Sequence, residues 1–190
     1  GHPRNERSRG VHAYLSRDGI LPADFRALCR AELAHYPDIE LVDREAVAAT
    51  AAEPGFRIEL RDGRIVHGRA LLLATGIVDE LPRIEGFMPL YGTSIHHCPI
   101  CDGWEHRGEA LAVLGGTGFA KSLAIELRCW SADVILCTNA EARLTQTDRD
   151  ELRAAGIPVR EEQIAALEGG HGQLTGIRFR SGDVLARQAL

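Results

Sequence analysis

Two cysteines three positions apart, Cys98 and Cys101 in the stretch HHCPICDGWE, are the residues of this chain best suited to chemistry. A C-x-x-C pair can hold a metal, staple a fold or pass electrons. Zinc takes four ligands and one such pair supplies two. His96 or His97 could add a third, but no second Cys/His pair follows at finger spacing, so a metal site is the weaker reading. Inert buried thiols are weaker too. Pro99 inside the pair and Asp102 directly after it predict a helix start, where backbone N–H groups favour a thiolate. A carboxylic acid beside the second thiol can shuttle the proton that thiol–disulfide exchange demands. The residue chemistry favours a redox pair.

A second cluster, VLGGTGFA at 113–120, falls between a predicted strand (ALAVLGG) and a predicted helix (GFAKSLAIELRCW), where a dinucleotide loop belongs. Its spacing is imperfect. If Gly115 opens G-x-G-x-x-A and Ala120 closes it, the middle position is Thr117, whose side chain crowds a pyrophosphate. A reading shifted to Gly116 and Gly118 places Lys121 where close helix packing is needed. After the next strand, DVILCTN, an acid for a ribose hydroxyl or an arginine for a 2′-phosphate is expected, and CTNAEAR offers neither at once. A nucleotide-type fold whose loop no longer binds nicotinamide stands equally open.

These segments need a scaffold, and the rest of the chain predicts an α/β one. LPADFRALCRAELAHYP sets Phe25, Leu28, Cys29, Leu33 and Tyr36 at helical spacing between Pro22 and Pro37. Strands are expected at IELV (39–42), at AVAATA (46–51), and in a hairpin turning at Asp62-Gly63, followed by ALLLA (70–74) as a strand buried on both faces. Pro82, Gly86, Pro89 and Gly92 mark a connection, giving domains 1–80 and 81–190. Beyond it, Phe119, Leu123, Leu127 and Trp130 form one helical stripe. A further helix, TDRDELRAAG, starts at a capping Thr147, and IPVREEQIAAL and LTGIRFRSGDVL read as strands.

A net charge of −5 argues against a nucleic-acid surface, and Arg4, Arg7 and Arg9, interrupted by Glu6, read as solvated. No apolar run is long enough to span a bilayer and no signal-peptide core is evident, so the expected address is cytoplasmic. Five cysteines do not suit a disulfide framework, and Cys29, Cys129 and Cys137 read as small buried hydrophobes.

CPICDG followed about ten residues later by VLGGTGFA, with LLLATG upstream, resembles the low-molecular-weight thioredoxin reductase family of FAD-dependent pyridine nucleotide–disulfide oxidoreductases. GHPRN and YLSRDGI are similar to the segment after the second strand of that family's FAD domain, so the likeness covers nearly the whole chain. A closer resemblance is to the branch with dithiol oxidases that close disulfides in small natural products.

The resemblance implies part of an FAD-binding, three-layer Rossmann-like domain followed by a NAD(P)-binding-like Rossmann domain carrying the C-x-x-C. It implies that Cys98 is the more exposed thiol and exchanges with substrate, that Cys101 faces the flavin, and that Asp102 donates the proton. His97 is a base in the oxidase branch or a solvated capping residue. Ala74, Thr75 and Gly76 match a turn near FAD, Asn5 a cofactor contact, and Val47 a backbone contact to the adenine. Gly115, Gly116, Thr117, Gly118 and Ala120 form the nicotinamide loop, which looks degenerate. The implied partners are a thioredoxin-like protein or a small disulfide or dithiol, with a homodimer as the assembly.

Family members begin with a G-x-G-x-x-G loop that holds the FAD pyrophosphate and end with a G-D segment over the flavin; neither is in this sequence. The expectation is an internal or truncated piece that binds FAD poorly by itself. Two competing readings are a non-catalytic nucleotide-binding or redox-sensing module and a metal-binding interaction module.

Overall fold

A computed structural model describes residues 3–190 of the chain; Gly1 and His2, the start of the GHPRN segment, lie outside the described residues. The chain divides into two units: residues 1–25 with 79–190, and residues 26–78. Helix α1 (Pro22–Leu33) crosses the division. The sequence boundary after residue 80 lies two residues past the end of the smaller unit, and the first 25 residues group with the larger one.

In the smaller unit, β1 (Ala46–Ala51), β2 (Phe56–Leu60) and β3 (Ile65–Gly68) form an antiparallel meander. Asp62-Gly63 turns the second hairpin as expected: Gly63 has φ 86°, and the Asp62 carboxylate accepts from the Arg64 N–H at 3.1 Å. Two expected strands, 39–42 and 70–74, are absent, and Leu72 and Leu73 are 88% and 72% exposed. A buried parallel strand exists only where neighbours satisfy its backbone on both sides. Among the described residues nothing pairs with 70–74. α1 is helical but buries only Pro22, so its apolar spacing is not matched by a buried face.

The larger unit is layered. β4 (Leu111–Leu114), α4 (Gly118–Leu127), β5 (Val134–Cys137), α5 (Gln146–Ala154) and β6 (Val159–Arg160) make a parallel β-α-β-α-β run with strand order β4-β5-β6. Strand alternation sorts the core. Leu111, Val113, Val134 and Leu136 point to one side, with Ala120, Ala124 and Leu152 of the helices. Ala112, Ile135 and Cys137 point to the other, with Ile164, Leu167, Leu174, Ile177 and Phe179. These last belong to the antiparallel sheet of β7 (Ile164–Gly170), β8 (Gln173–Phe179) and β9 (Val184–Leu185). The result is helices, parallel sheet and antiparallel sheet in succession.

Local departures from expectation have local causes. α4 fully buries Ala120 and Ala124, whose small size lets the helix approach the sheet; of the bulky stripe, Leu123 and Leu127 pack partly buried against the same cluster, whereas Phe119 is 78% exposed. α5 is capped by Thr145, not Thr147, through a reciprocal box with Asp148, an arrangement worth about 1 kcal/mol. The breaker-rich connection contains a short helix, α2 (Phe87–Leu90), whose Phe87 and Leu90 enter the core, while Gly86 at φ 81° lets the Leu167 N–H reach the Glu85 carbonyl at 2.8 Å. Of the three cysteines expected to be buried only Cys137 is; Cys29 is half-buried and Cys129 exposed.

Glu162 closes the β6–β9 corner, accepting from the Ser181 N–H and from Arg160, each at 2.7 Å. The Ser181 hydrogen bonds, and then Arg160, hold its carboxyl at about 2 against an ordinary 4.5. A depressed acid stabilises the fold above its unfolded pKa and loses that contribution as pH falls through the folded value. Glu162→Gln is therefore expected to flatten the stability loss between about pH 4.5 and 2, read from urea midpoints at both ends. An unchanged acid slope would show that Glu162 is not linked to folding.

Candidate functional site

Cys98 is the N-cap of α3 (Pro99–Asp102), in extended backbone at φ −140°, with Pro99 in the first turn. Its carbonyl accepts from the Cys101 and Asp102 N–H groups at 3.2 and 3.3 Å. This one-turn clasp brings the two cysteines together, both as free thiols. The expected helix start is present, but the order of exposure is reversed: Cys98 is half-buried and Cys101 exposed. The expected thiolate stabilisation is not found at Cys101. Partial burial of its sulfur, the hydrogen bond with Cys98, and the charges of Cys98 and Asp102 push it up to about 12. One helical turn has too few aligned peptides to offset them.

The His97 Nδ1 lies 3.1 Å from the Tyr91 hydroxyl, which donates to Asp79 Oδ2 at 3.1 Å. Asp79 is gripped by both guanidinium arms of Arg4, at 2.8 and 2.7 Å, so Arg4 is paired rather than solvated. Arg7 likewise donates to the Met88 carbonyl at 3.1 Å. Tyr91 has one proton and gives it to Asp79, which assigns the His97 proton to Nδ1 and leaves Nε2 bare. Partial burial of the ring, then Arg4, lower the His97 pKa, keeping the ring neutral and basic near pH 7.

On the other side of the pair, Asp102 Oδ2 lies 3.4 Å from His96 Nδ1. His96 Nε2 meets His106 Nε2 at 3.0 Å, and His106 Nδ1 meets Glu109 Oε2 at 2.7 Å. Burial raises the Asp102 pKa, but the His96 contact and the charges of His96, His97 and His106 outweigh it and bring it below the ordinary value. Cys98, His97 and Asp102 border a largely apolar cavity of about 460 Å³ that also takes in Phe119, Leu123 and Leu127 of α4. A second cavity of about 700 Å³, polar in most of the residue types that line it, lies beyond His96 and His106.

Residue-level reasoning on the sequence found Cys98, Cys101, Asp102 and His97 but missed Tyr91, Asp79, Arg4, His106 and Glu109. The one available signal was the H-x-x-E spacing of His106 and Glu109, as common on surfaces as in sites. Among the described residues no group of three His, Cys, Asp or Glu side chains could hold a metal ion.

The glycine loop is explained by the chain's own packing. An added Cβ at Gly116 would lie 1.9 Å from the Glu141 carbonyl oxygen, and one at Gly115 2.8 Å from the Ala120 Cβ. The Arg143 N–H donates to the Gly116 carbonyl at 2.6 Å. Thr117 N-caps α4, and Asp148 sits 3.5 Å from where a Gly118 Cβ would be. A carboxylate there and a threonine at the middle position do not fit a pyrophosphate. Ala74, Thr75 and Gly76 are exposed irregular backbone with Gly76 at φ 69° in open space, Val47 is 47% exposed on β1, and Asn5 is exposed in the larger unit. None of the five borders either cavity.

No protein-family model matches the chain. The thioredoxin reductase tcpT of Claviceps purpurea is 30% identical over 208 residues, covering 100% of this chain and 64% of that protein. The thioredoxin reductase aclD of Aspergillus oryzae is 34% identical over 102 residues, 52% of this chain and 32% of that one. Among solved structures, HlmI superposes with a TM-score of 0.90 at 33% identity, covering 100% of this chain and 60% of its own. The chain thus spans about three fifths of the relatives it matches end to end. In sequence and in α/β fold it belongs to the thioredoxin reductase-like oxidoreductases.

Proposed function

We propose that Cys98 and Cys101 cycle between dithiol and disulfide, exchanging two electrons with a substrate disulfide or dithiol. The observation that carries this reading is the one-turn clasp at the α3 N-cap, which holds both cysteines as free thiols with a neutral histidine on one side and an ionised Asp102 on the other. Towards a disulfide, His97 Nε2 removes the Cys98 proton, and the thiolate attacks one substrate sulfur and expels the other. Asp102 takes the Cys101 proton; Cys101 attacks the mixed disulfide and releases the second substrate sulfur. The substrate gains two electrons and two protons, and the pair loses both. Dithiol oxidation is the reverse.

Domains 1–80 and 81–190 as parts of FAD- and NAD(P)-type domains, and a homodimer, rest on the family resemblance. FAD, when bound, supplies a two-electron store, with oxygen or a nicotinamide as its other partner. The poorly matched glycine loop favours oxygen. A thioredoxin-like protein and a small-molecule dithiol are both substrates of the right chemistry, and the apolar cavity beside Cys98 favours the small molecule.

Treating the chain with excess 2-hydroxyethyl disulfide, denaturing it, alkylating it and weighing it tests the cycle. The oxidised chain is expected to take up two fewer labels than its five cysteines allow, with the bridge mapped to Cys98 and Cys101. Five labels after oxidation, or a bridge through Cys129, would overturn it.

A further inference from the structure

Asp102, His96, His106 and Glu109 form one continuous line. Its first three members border both cavities, and Glu109 faces only the polar one. Side-chain exposure is 17%, 15% and 15% at Asp102, His96 and His106, and reaches 35% only at Glu109, the end of the line. The line therefore runs from the sulfur-bearing cavity towards water.

Counting protons shows what it holds. The 2.7 Å His106–Glu109 contact needs a proton, and so does the 3.0 Å contact between the two Nε2 atoms. Two neutral imidazoles own two N–H groups between them. If both are spent there, His96 Nδ1 is bare and its lone pair faces the Asp102 carboxylate at 3.4 Å, an unfavourable contact. A third proton removes the conflict. Two carboxylates and two histidines in this order thus carry one proton more than two carboxylates and two neutral rings.

We infer that Asp102, His96, His106 and Glu109 are a proton relay that stores one excess proton and moves it between the Cys98–Cys101 pair and the polar cavity. At rest both carboxylates are ionised and the two rings share the three protons, one ring being an imidazolium. Handing one proton to Asp102, or one to Glu109, moves hydrogens only along these three contacts. No atom moves far and no bond is left without a proton. When the pair becomes a disulfide, the Cys101 proton enters at Asp102 and leaves at Glu109; on reduction the path reverses. The charges that bias the line from neighbouring elements are His97, the His12–Glu105 pair at 3.1 Å, Arg9 and Arg187. His96, His106 and Glu109 act through Asp102 and touch no substrate sulfur.

This inference rests on the thiol cycle proposed above, and two measurements separate their failures. Nitrogen-15 histidine NMR of the reduced chain counts the protons directly: His96 and His106 together are expected to hold three near neutral pH, and two in Glu109→Gln. Stopped-flow bridge formation with 2-hydroxyethyl disulfide is expected to slow about tenfold in Glu109→Gln and in His106→Ala, with a flattened pH profile. Added imidazole should restore His106→Ala towards the native rate but not Cys101→Ser. Two protons in the native count, or native pH profiles in both folded variants, would overturn the relay while leaving the thiol cycle standing. A native chain that never bridges would overturn the cycle, and the NMR count would still decide whether the proton is stored.

Discussion

Cys98→Ser is expected to abolish the mixed disulfide at the α3 N-cap, read by mapping adducts of a small disulfide to individual cysteines, although the exposed Cys101 and Cys129 remain; in the native chain Cys101 is expected to react about a hundredfold more slowly than an ordinary cysteine. A thiol at about 12 is thiolate to roughly one part in 10⁵ at pH 7, against a few per cent for a free cysteine near 8.5. Its greater intrinsic nucleophilicity, with a Brønsted slope of about 0.4–0.5, recovers only about one and a half decades. This favours Cys98 as the first thiol to attack. Cys101→Ser should behave differently: attack still occurs, but no resolving thiol follows, so the mixed disulfide accumulates on Cys98 and is seen as a stable adduct in the intact mass. If Cys98→Ser still formed an adduct at Cys101, or if Cys101→Ser trapped no adduct, the order of the two thiols would be wrong. The half-buried position of Cys98 fits this order, because it lines the apolar cavity where a substrate sulfur would arrive.

The second large effect is on folding. Gly116→Ala would put a methyl carbon 1.9 Å from the Glu141 carbonyl oxygen, beneath a segment held by the Arg143–Gly116 hydrogen bond. Neither partner is the end of a flexible side chain, so the backbone must move, at a cost of about 1–3 kcal/mol or more. Gly118→Ala, two residues on, meets only Asp148 at 3.5 Å and sits at the start of α4. It should be neutral, or stabilising by up to about 1 kcal/mol. Urea midpoints in the absence of any nucleotide check both. Equal midpoints for the two variants would mean that the 141–143 crossing does not constrain Gly116, and would return the glycines to a ligand-binding explanation.

Much of the site was readable before any coordinates. The C-x-x-C spacing, the proline within it and the acid after it specify a one-turn clasp that brings two sulfurs together, because sequence-local geometry decides all three. Likewise the β4-α4-β5 unit follows from its alternating and helical patterns, which report burial against near neighbours. Three things depended on long-range packing. Segment 70–74 has the composition of a buried strand but pairs with nothing among the described residues, so propensity had no sheet to join. Gly116 looked like a phosphate loop until the 141–143 segment was seen to cross it, a contact between residues 25 apart. His106 and Glu109, distant in pattern from any motif, acquire meaning only because the turn after α3 folds His106 back onto His96, ten residues earlier. Residue types and short spacings determined which groups can react; the fold decided which glycine another segment crosses, which thiol borders the apolar cavity, and which histidines line up beside Asp102, since each is set by atoms that only tertiary contact brings together.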